Sequence, residues 1–311
     1  MIRDEEDEEA NLDPIIKAIL SPEEALSPDQ SKSSVDNIFI DLDKYVPTID
    51  ELYNRLTLVT AWSQNHFREG LGFIGTAQQY MPEKKIIVYD LGLNNKSLQE
   101  VKSMCNVEVR RFPFEKYPEH YKNLKKFAFK PTIINLVLHE FGVIYYGDAS
   151  IRFLRSVKEL IPDALKHHGF LPHIRCFNPK IPRGKPKGCK HDHTLTVKEV
   201  YPILEVNERV YYNAGFTAPA ISGGIMLIVN NSVLYTKIMV PWLECALNEA
   251  CIAPEGADLG NHRFDQSALT LLFFKHMRGE WTPDNDPTPH HMEVSNICRD
   301  TNGYDWNPQT C

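Results

Sequence analysis

The sequence contains no run of about 18 consecutive apolar residues, the length that a membrane-spanning helix needs. Met1 is followed by an acidic stretch in place of the basic segment and apolar core of a secretory leader. As written, the chain is therefore expected to be soluble and to have no membrane segment.

Basic residues are outnumbered, since the sequence has 34 Lys and Arg residues against 41 Asp and Glu residues. Its formal net charge is −7. A general nucleic-acid-binding protein needs a basic surface to neutralise phosphates. Nucleic acid is therefore not expected as a partner. Much of the negative charge lies in the first ten residues, so the remainder of the chain is closer to neutral.

The seven cysteines form no Cys-x-x-Cys pair, which argues against a zinc ribbon and against a thioredoxin-type site. Cys298 and Cys311 are close in sequence and are predicted to form a disulfide in an oxidising compartment. Free, buried thiols are the alternative. No internal repeat is present.

The composition is that of an ordinary globular protein, with 42% hydrophobic and 24% charged residues in 311. Residues 1–34 combine acids with Ser, Pro and Gln, a composition that cannot bury enough apolar surface to fold, and are predicted to be a disordered tail. Residues 35–311 are predicted to form one α/β domain, with its core at 56–274 and a C-terminal wrap at 275–311.

Strand-like and helix-like segments alternate in the first half of the chain. Residues 56–62, 85–90 and 107–112 are predicted strands, and residues 63–80 and 97–104 are predicted helices. This order favours a parallel sheet built from right-handed crossovers, with helices on its faces.

Residues 127–153 are the most informative stretch. Pro131 suits the first turn of a helix, and Gly142 stands where a left-handed C-terminal cap requires it. Residues 143–146 form an apolar, β-branched and aromatic run typical of a buried strand, and Asp148 follows it. Because ligands of open α/β sheets bind at the carboxyl ends of strands, the position of this carboxylate predicts a functional site.

The second half of the chain has weaker signals. Residues 178–193 are crowded with Pro, Gly and Lys and are predicted to be a loop. A Ser-Gly-Gly turn leads into a predicted strand at 225–229, and helices are predicted at 233–250 and 261–274.

Gly70, Gly72 and Gly75 spell the Gly-x-Gly-x-x-Gly fingerprint of dinucleotide-binding folds, and Asp90 ends the next predicted strand. The fingerprint requires its first glycine in the turn directly after a strand, but seven residues separate Trp62 from Gly70. The glycines would then lie inside a helix, where small residues allow close packing on the sheet. No NAD is expected.

The loop at 178–193 allows two further interpretations. Cys189, His191 and His193 alternate and have the chemistry of zinc ligands, although no fourth partner is nearby. The loop is also basic and could close over a diphosphate as an electrostatic lid, or simply be solvated. Its cations are Lys180, Arg183, Lys185, Lys187 and Lys190.

Four stretches resemble a family found in nematodes and other invertebrates, DUF1647. They are YDLGL at 89–93, NVEVRRFPFEKYP at 106–118, KFAFKPTIINLVLHEFGVIYYGDASIRF at 126–153 and HRFDQSAL at 262–269. This family in turn resembles nucleotide-diphospho-sugar transferases. The resemblance covers roughly 56–274 and implies a single Rossmann-like domain of the glycosyltransferase A type, with a mostly parallel central sheet flanked by helices.

The resemblance implies a glycosyltransferase that moves a sugar from a nucleotide diphosphate donor to a glycan, protein or lipid acceptor. It also implies the secretory pathway, in the Golgi lumen, where related proteins are often membrane-anchored; this chain as written has no such anchor. Donor sugar, acceptor and stereochemical outcome stay open.

Related transferases carry Asp-x-Asp at the strand end and use it to hold a divalent cation, Mn or Mg. Here the motif reads Asp148-Ala149-Ser150, so a neutral hydroxyl replaces the second acid and is a weaker ligand. The metal requirement is therefore left open. His276, or one of the pair His290-His291, would be the third ligand.

Asp265 and Asp148 are the catalytic residues that the resemblance implies, with Asp265 orienting the acceptor hydroxyl or removing its proton. The donor would be bound by residues at strand ends, at the start of helices and in the Ser-Gly-Gly turn. These are Thr60, Ala61, Asp90, Lys130, Ser150, Gly223, Gly224 and Gln266.

Two alternatives remain. The missing second acid favours a non-catalytic protein that keeps the fold and binds a sugar or nucleotide. The glycine fingerprint favours an NAD-dependent oxidoreductase, for which its context is wrong.

Overall fold

The apolar segments of the chain assemble into one six-stranded sheet covered by helices. The computed structural model describes residues 47–174, 193–215, 218–278, 293–297 and 308–311, together with Ile16, Ile40, Tyr45 and His291. The strands are β1 (Thr57–Trp62), β2 (Ile86–Asp90), β3 (Val107–Arg111), β4 (Val143–Gly147), β5 (Ile151–Phe153), β6 (Phe170–Ile174), β7 (Ile221–Val229) and β8 (Ser295–Ile297).

The helices surround this sheet and are mostly short. They are α1 (Ile49–Arg55), α2 (Phe67–Tyr80), α3 (Asn95–Lys102), α4 (Phe129–Phe141), α5 (Ile161–Lys166), α6 (Val200–Ile203), α7 (Glu208–Ala214), α8 (Ser232–Leu234), α9 (Val240–Leu247), α10 (Glu249–Ile252) and α11 (Asp265–Met277).

The main sheet has the strand order β3-β2-β1-β4-β7-β6. β1 to β4 run parallel, and β7 is inserted antiparallel between β4 and β6. Every residue of β1 and of β4 is buried, as expected for strands covered on both faces. The predicted α/β fold with a mostly parallel sheet is therefore confirmed, and the reversed β7 is the feature that the sequence pattern did not reveal.

The order in which successive strands are added to the sheet reverses at β1. It runs outward from β1 through β2 to β3 and then returns to place β4 on the other side of β1. The carboxyl ends of β1 and β4 therefore lie side by side where the strand order reverses, which is the position at which open α/β sheets form a ligand crevice. This crevice is where a ligand of an open α/β sheet is expected.

Helix α4 and strand β4 follow the predicted plan. The helix begins at Phe129, two residues before Pro131, and its C-terminal cap is Gly142 in the left-handed region, with φ of 74°. The Gly142 N–H donates to Leu138 O at 2.9 Å, and β4 begins at the next residue. Only a residue that tolerates positive φ ends the helix this abruptly.

The second half departs more from expectation. The predicted long helix at 233–250 is broken, because a π-helical turn (Tyr235–Met239) separates α8 from α9 and Pro241 lies in the first turn of α9. Helix α7 was not predicted. The last helix begins at Asp265, because Phe264 has a φ of 51° and a ψ of −117° that no helix contains.

The glycine fingerprint lies inside α2, as the sequence context predicted. A side chain at Gly70 would collide with the Trp62 ring of β1, and a side chain at Gly72 would collide with the Arg152 guanidinium of β5. Both positions therefore need glycine for close packing of α2, which is a structural reason for the motif.

Residues 1–34 lie outside the described residues except for Ile16, which is helical and fully buried, and the disordered tail stays a prediction. Within the described ranges, no helix combines the length and the apolar character needed to cross a bilayer.

The disulfide prediction is wrong in its partner. Cys311 bonds to Cys105, not to Cys298, and a second disulfide joins Cys245 to Cys251. The reason is that the C-terminal residues lie along the chain that follows α3. The Cys105 N–H donates to Gln309 O at 2.9 Å, and the Cys311 N–H donates to Ser103 O at 3.0 Å.

We expect the Cys105–Cys311 disulfide to stabilise the fold much more than the Cys245–Cys251 disulfide. The two bonds span 206 and 6 residues, and the entropy lost by the unfolded chain predicts upper limits of about 5 and about 2 kcal/mol. Chemical denaturation of the C105S/C311S and C245S/C251S double variants measures both. Equal losses would contradict the loop-length argument.

Candidate functional site

A cavity of about 510 Å³ opens at the crevice between the carboxyl ends of β1 and β4. Ala61 and Trp62 from the end of β1 line one side, and Asp148 and Ser150, which follow β4, line the other. The cavity therefore lies where the strand order predicts a ligand, and it contains the strand-end carboxylate that the sequence singled out.

Asp148 is held in place by the sheet. Its backbone N–H donates to Gly224 O at 2.9 Å, which continues the pairing of β4 with β7 by one residue. Its carboxylate Oδ1 accepts a hydrogen bond from the Tyr146 hydroxyl at 3.2 Å, and 43% of the side chain is exposed. The carboxylate is therefore oriented by the protein but still open to the cavity.

Tyr146 is a site residue that the sequence analysis did not identify. Burial and, after it, the Asp148 and Asp265 carboxylates raise the pKa of Tyr146 well above its ordinary value. The phenol therefore stays protonated and remains a hydrogen-bond donor to Asp148 across the physiological pH range.

Lys130 joins two carboxylates. Its Nζ lies 3.0 Å from Asp148 Oδ1 and 3.5 Å from Asp265 Oδ2, and only 7% of its side chain is exposed. Burial would lower the pKa of Lys130, but Asp148 and Asp265 outweigh that effect and raise it. A permanent positive charge is therefore fixed at the start of α4, where the helix dipole alone would disfavour it.

Asp265 is the most buried acid of the site, with 5% of its side chain exposed. Burial raises the pKa of Asp265 to about 6, and Asp148 adds to this, whereas Lys130 and the Gln266 backbone N–H oppose it. The contact of Asp265 Oδ2 with Lys130 Nζ, at 3.5 Å, is long for a hydrogen bond, and no other group in the described part of the chain donates to this oxygen. A ligand hydroxyl would complete its hydrogen bonding.

The start of α11 positions this acid. Trp242 Nε1 donates to the backbone carbonyl of Asp265 at 2.9 Å from within the core. Phe264, the preceding residue, has positive φ, and its ring lies 5.9 Å from that of Phe127, which also has positive φ. Positive φ is strained for residues other than glycine, so the packing around the start of α11 must hold these two residues in place.

Gly223 and Gly224 of β7 make room for the two carboxylates. A Cβ at Gly224 would lie 2.5 Å from Asp148 Oδ2, and a Cβ at Gly223 would lie closer still to Asp265 Oδ2. Any other residue at these positions would push a carboxylate away from Lys130. Gly223 and Gly224 are therefore part of the site because they have no side chains.

The remaining predicted donor-site residues divide into two groups. Ala61, Lys130 and Ser150 line the cavity, whereas Thr60 is fully buried within β1 and does not. Asp90 Oδ1 accepts hydrogen bonds from the N–H groups of Gly92 at 2.8 Å and Leu93 at 2.6 Å, so its carboxylate caps a turn. Asp90 is not among the residues that line the cavity.

Gln266 follows Asp265 in the first turn of α11. Its backbone N–H lies 3.0 Å from Arg263 O, and its Cβ lies beside the position that a side chain of Gly223 would occupy. The structure therefore places Gln266 next to the carboxylate cluster, through its backbone and Cβ.

Neither of the two described histidine candidates, His276 and His291, is brought to Asp148. His276 lies near the opposite end of α11 from Asp265 and lines a separate cavity with His168 and Lys237, so its assignment as a third ligand is corrected. His291 Nε2 lies 3.1 Å from Leu171 O in the core, and His290 lies outside the described residues.

The proposed zinc and lid loop falls almost wholly outside the described residues, which omit 175–192. Of its candidate ligands only His193 is described. Its Nε2 lies 3.2 Å from Glu208 Oε1, and its ring packs on Tyr212 with centroids 4.7 Å apart.

The carboxylates of the site do not suit a divalent cation. Asp148 and Asp265 both face the Lys130 ammonium, and Ser150 offers only a neutral hydroxyl. Across the described ranges, no three His, Cys, Asp or Glu side chains are arranged to hold a metal ion. Both carboxylates are engaged by an ammonium, so a divalent ion would have to compete with Lys130 for them.

A larger cavity, of about 840 Å³, lies next to the first. Its walls are mainly apolar and include Ala253, Pro254 and Phe264, and Lys125 lines both cavities. Because Phe264 contacts Phe127, which lines the first cavity, the aromatic pair stands between the two spaces. The site thus has two adjoining compartments.

Comparison with known families supports the resemblance seen in the sequence. Residues 34–135, about a third of the chain, match the family described as protein of unknown function (DUF1647). The match includes two of the four stretches in full and ends within the third, before Asp148 and Asp265. Comparison with curated proteins gives no match.

Several solved structures are similar to part of this chain. The bifunctional glycosyltransferase WbbM matches with a TM-score of 0.46, 11% identity and 71% of this chain, which spans 38% of the WbbM chain. The galactosyltransferase LgtC, in complex with donor and acceptor sugar analogs, has a TM-score of 0.44, 12% identity, and coverage of 78% and 87%. Mouse xyloside xylosyltransferase 1 has a TM-score of 0.41, 10% identity, and coverage of 72% and 82%.

Proposed function

We propose that the protein is a glycosyltransferase that moves a sugar from a nucleoside diphosphate donor to an acceptor hydroxyl. The observation that carries the proposal is the Asp148–Lys130–Asp265 cluster beside a cavity at the carboxyl ends of β1 and β4. A positive charge fixed between two acids suits a reaction in which one group develops negative charge while another loses a proton.

Each member of the cluster has a distinct role in this proposal. In the overall reaction, the acceptor oxygen forms a bond to the anomeric carbon and its proton passes to the Asp265 carboxylate. The bond from that carbon to the diphosphate oxygen breaks, and its electron pair leaves with the nucleotide. Lys130 stabilises the developing charge of the diphosphate, and the half-exposed Asp148 orients the sugar.

The two compartments suit the two substrates. The smaller cavity, which contains the end of β1, Asp148 and Lys130, would take the donor. The larger one, with its apolar walls, would take the acceptor, and the aromatic pair of Phe127 and Phe264 would separate them. Nothing in the lining distinguishes a glycan acceptor from a protein or lipid.

The compartment is proposed from the disulfides and from the family resemblance. Two disulfides within the described residues suit an oxidising environment, since cytosolic thiols are kept reduced. Together with the family resemblance, this supports a place in the secretory pathway, in the Golgi lumen.

The direct test is calorimetric titration with UDP, GDP and NAD, followed by a turnover assay with nucleotide sugars of the bound nucleotide. Binding of one nucleoside diphosphate and its release from a sugar donor would establish the transferase. Binding without turnover across a donor and acceptor panel would make the protein a non-catalytic binder, and binding of NAD alone would contradict the proposal.

We expect turnover to rise with pH across the range from about 5 to about 7. The pKa of Asp265 is raised to about 6, and only its ionised form can accept the acceptor proton, so activity is lost as the pH falls through that value. The profile of kcat/KM reports this pKa in the free enzyme. A flat profile in this range, in protein that circular dichroism shows to be folded, would remove Asp265 from the base role.

Replacing Gly224 by alanine should reduce nucleotide binding while leaving the protein folded. The new methyl group would lie 2.5 Å from Asp148 Oδ2, so the half-exposed carboxylate must turn away from Lys130. Gly256→Ala is a useful comparison because its Cβ would enter open space, although its φ of +76° adds local strain. If G224A bound nucleotide as tightly as the wild type, the close approach of β7 would have no role in the site.

A further inference from the structure

The structure also indicates how the site is charged, an inference that rests on the proposed function. We infer that Lys130 and Lys125 together supply the positive charge for the donor diphosphate, so that donor binding requires no divalent metal ion.

Lys130 already occupies the space between the two acids. Its Nζ contacts both carboxylates, and the rings of Phe127 and Tyr146 lie 5.4 and 5.8 Å from it. A divalent ion that used the same carboxylates would have to displace this ammonium or lie beside it. Like charges repel strongly where water does not screen them. The position of a metal is therefore taken by the protein's own cation.

The two acids differ in their freedom to turn toward another cation. Asp265 Oδ2 lies against Gly223, and this buried carboxylate is confined between β7 and Lys130. Asp148 Oδ2 lies against Gly224, and the rest of its carboxylate faces the cavity with Lys130 as its ion-pair partner. Ser150, which stands where a second acid would strengthen a metal site, contributes no charge. Lys130, Asp148 and Asp265 thus form an ion-pair cluster whose cation is a residue of this chain.

Lys125 provides the second charge. It is exposed, it lines the donor cavity, and it forms no ion pair with any residue that the structure describes. Its neighbours in the same segment are engaged, since Lys122 pairs with Glu119 and Lys126 pairs with Glu249. An unpaired ammonium at the rim of a phosphate-sized site is free to bind a phosphate oxygen.

Lys125 and Lys130 are the two ammonium groups on the described lining of the cavity. Lys130 is shared between Asp148 and Asp265, whereas Lys125 forms no ion pair with a described residue. The other acid on the lining besides Asp148 is Glu69, which lies 2.8 Å from His66 Nδ1. A diphosphate in the cavity would therefore meet one ammonium held by the two acids and a second that is unpaired.

The test is calorimetric titration of the full chain with UDP and GDP, first in excess EDTA and then in excess Mn²⁺. We expect the nucleotide that binds to do so with the same affinity in both. In EDTA, Lys125→Met should weaken that binding about tenfold, the value of one charge-assisted hydrogen bond. The matched control, Lys122→Met, removes an exposed lysine of the same segment and should change nothing.

The outcomes separate this inference from the proposed function. Binding that appears only with Mn²⁺ would overturn the inference and leave the transferase intact. Equal affinity of K125M and wild type would also overturn it, by removing the second cation. Failure of both nucleotides to bind in either condition would overturn the inference together with the transferase.

Discussion

Replacing Asp265 by asparagine should lower sugar transfer by about 10²- to 10⁴-fold, the usual contribution of a positioned general base. Asparagine has the size and shape of the acid but cannot accept a proton at neutral pH. Lys130 keeps Asp148 as its ion-pair partner at 3.0 Å, so we expect the variant to fold and to bind the donor nucleotide. Release of nucleotide from the donor sugar, with and without acceptor, measures the loss.

A second carboxylate gives the matched control for this experiment. Asp50 lies in α1, its side chain is 77% exposed, and it pairs with Lys158 on the surface. Exposed pairs contribute little, so Asp50→Asn should keep full transfer activity. Wild-type turnover in D265N would refute the base assignment. Loss of nucleotide binding in D265N would instead make Asp265 a residue that positions Lys130.

The fold was predictable where a segment has a clear hydrophobic pattern or a clear helix-ending residue. The strands of the first half are continuous apolar runs, and Gly142 marks the end of α4 because only left-handed backbone ends a helix that way. The direction of β7 was not predictable. Residues 225–229 are equally apolar in either orientation, and only their pairing with β4 and β6 makes the strand antiparallel.

The disulfide pairing was likewise not predictable from local sequence. Cys298 and Cys311 are close in sequence, and proximity was the only available criterion. Cys311 instead pairs with Cys105 because the backbone of the C-terminal residues hydrogen-bonds to the chain after α3. Long-range pairing of this kind depends on how segments return in space, which no local pattern records.

The site was predictable to the extent that strand ends converge. The position of Asp148 after a buried strand places it on the cavity lining, whereas Thr60 and Asp90, chosen by the same rule, lie in the sheet interior and in a turn. Lys130 gave a weaker signal, as a cation in the first turn of a helix, where the dipole opposes it. Its reason for being there is Asp265, from a distant segment.

The buried cluster makes a further prediction, on stability. Replacing Lys130 by methionine should lower the free energy of unfolding by about 3–5 kcal/mol at neutral pH, because it leaves a buried carboxylate without its counter-charge. Methionine fills most of the same volume, so the loss is electrostatic. Urea denaturation of wild type and K130M measures it, with Lys122→Met as the control for an exposed lysine.

The pH dependence of that loss identifies its cause. Burial raises the pKa of Asp265 while Lys130 lowers it, so the pKa must rise further in K130M. A carboxyl whose pKa is higher in the folded than in the unfolded state costs stability as the pH rises from the unfolded value toward the folded one. The deficit of K130M should therefore be small near pH 5, where Asp265 can take up a proton, and should grow toward pH 8. A deficit of equal size at both pH values would mean that Lys130 stabilises the fold through packing and not through its charge.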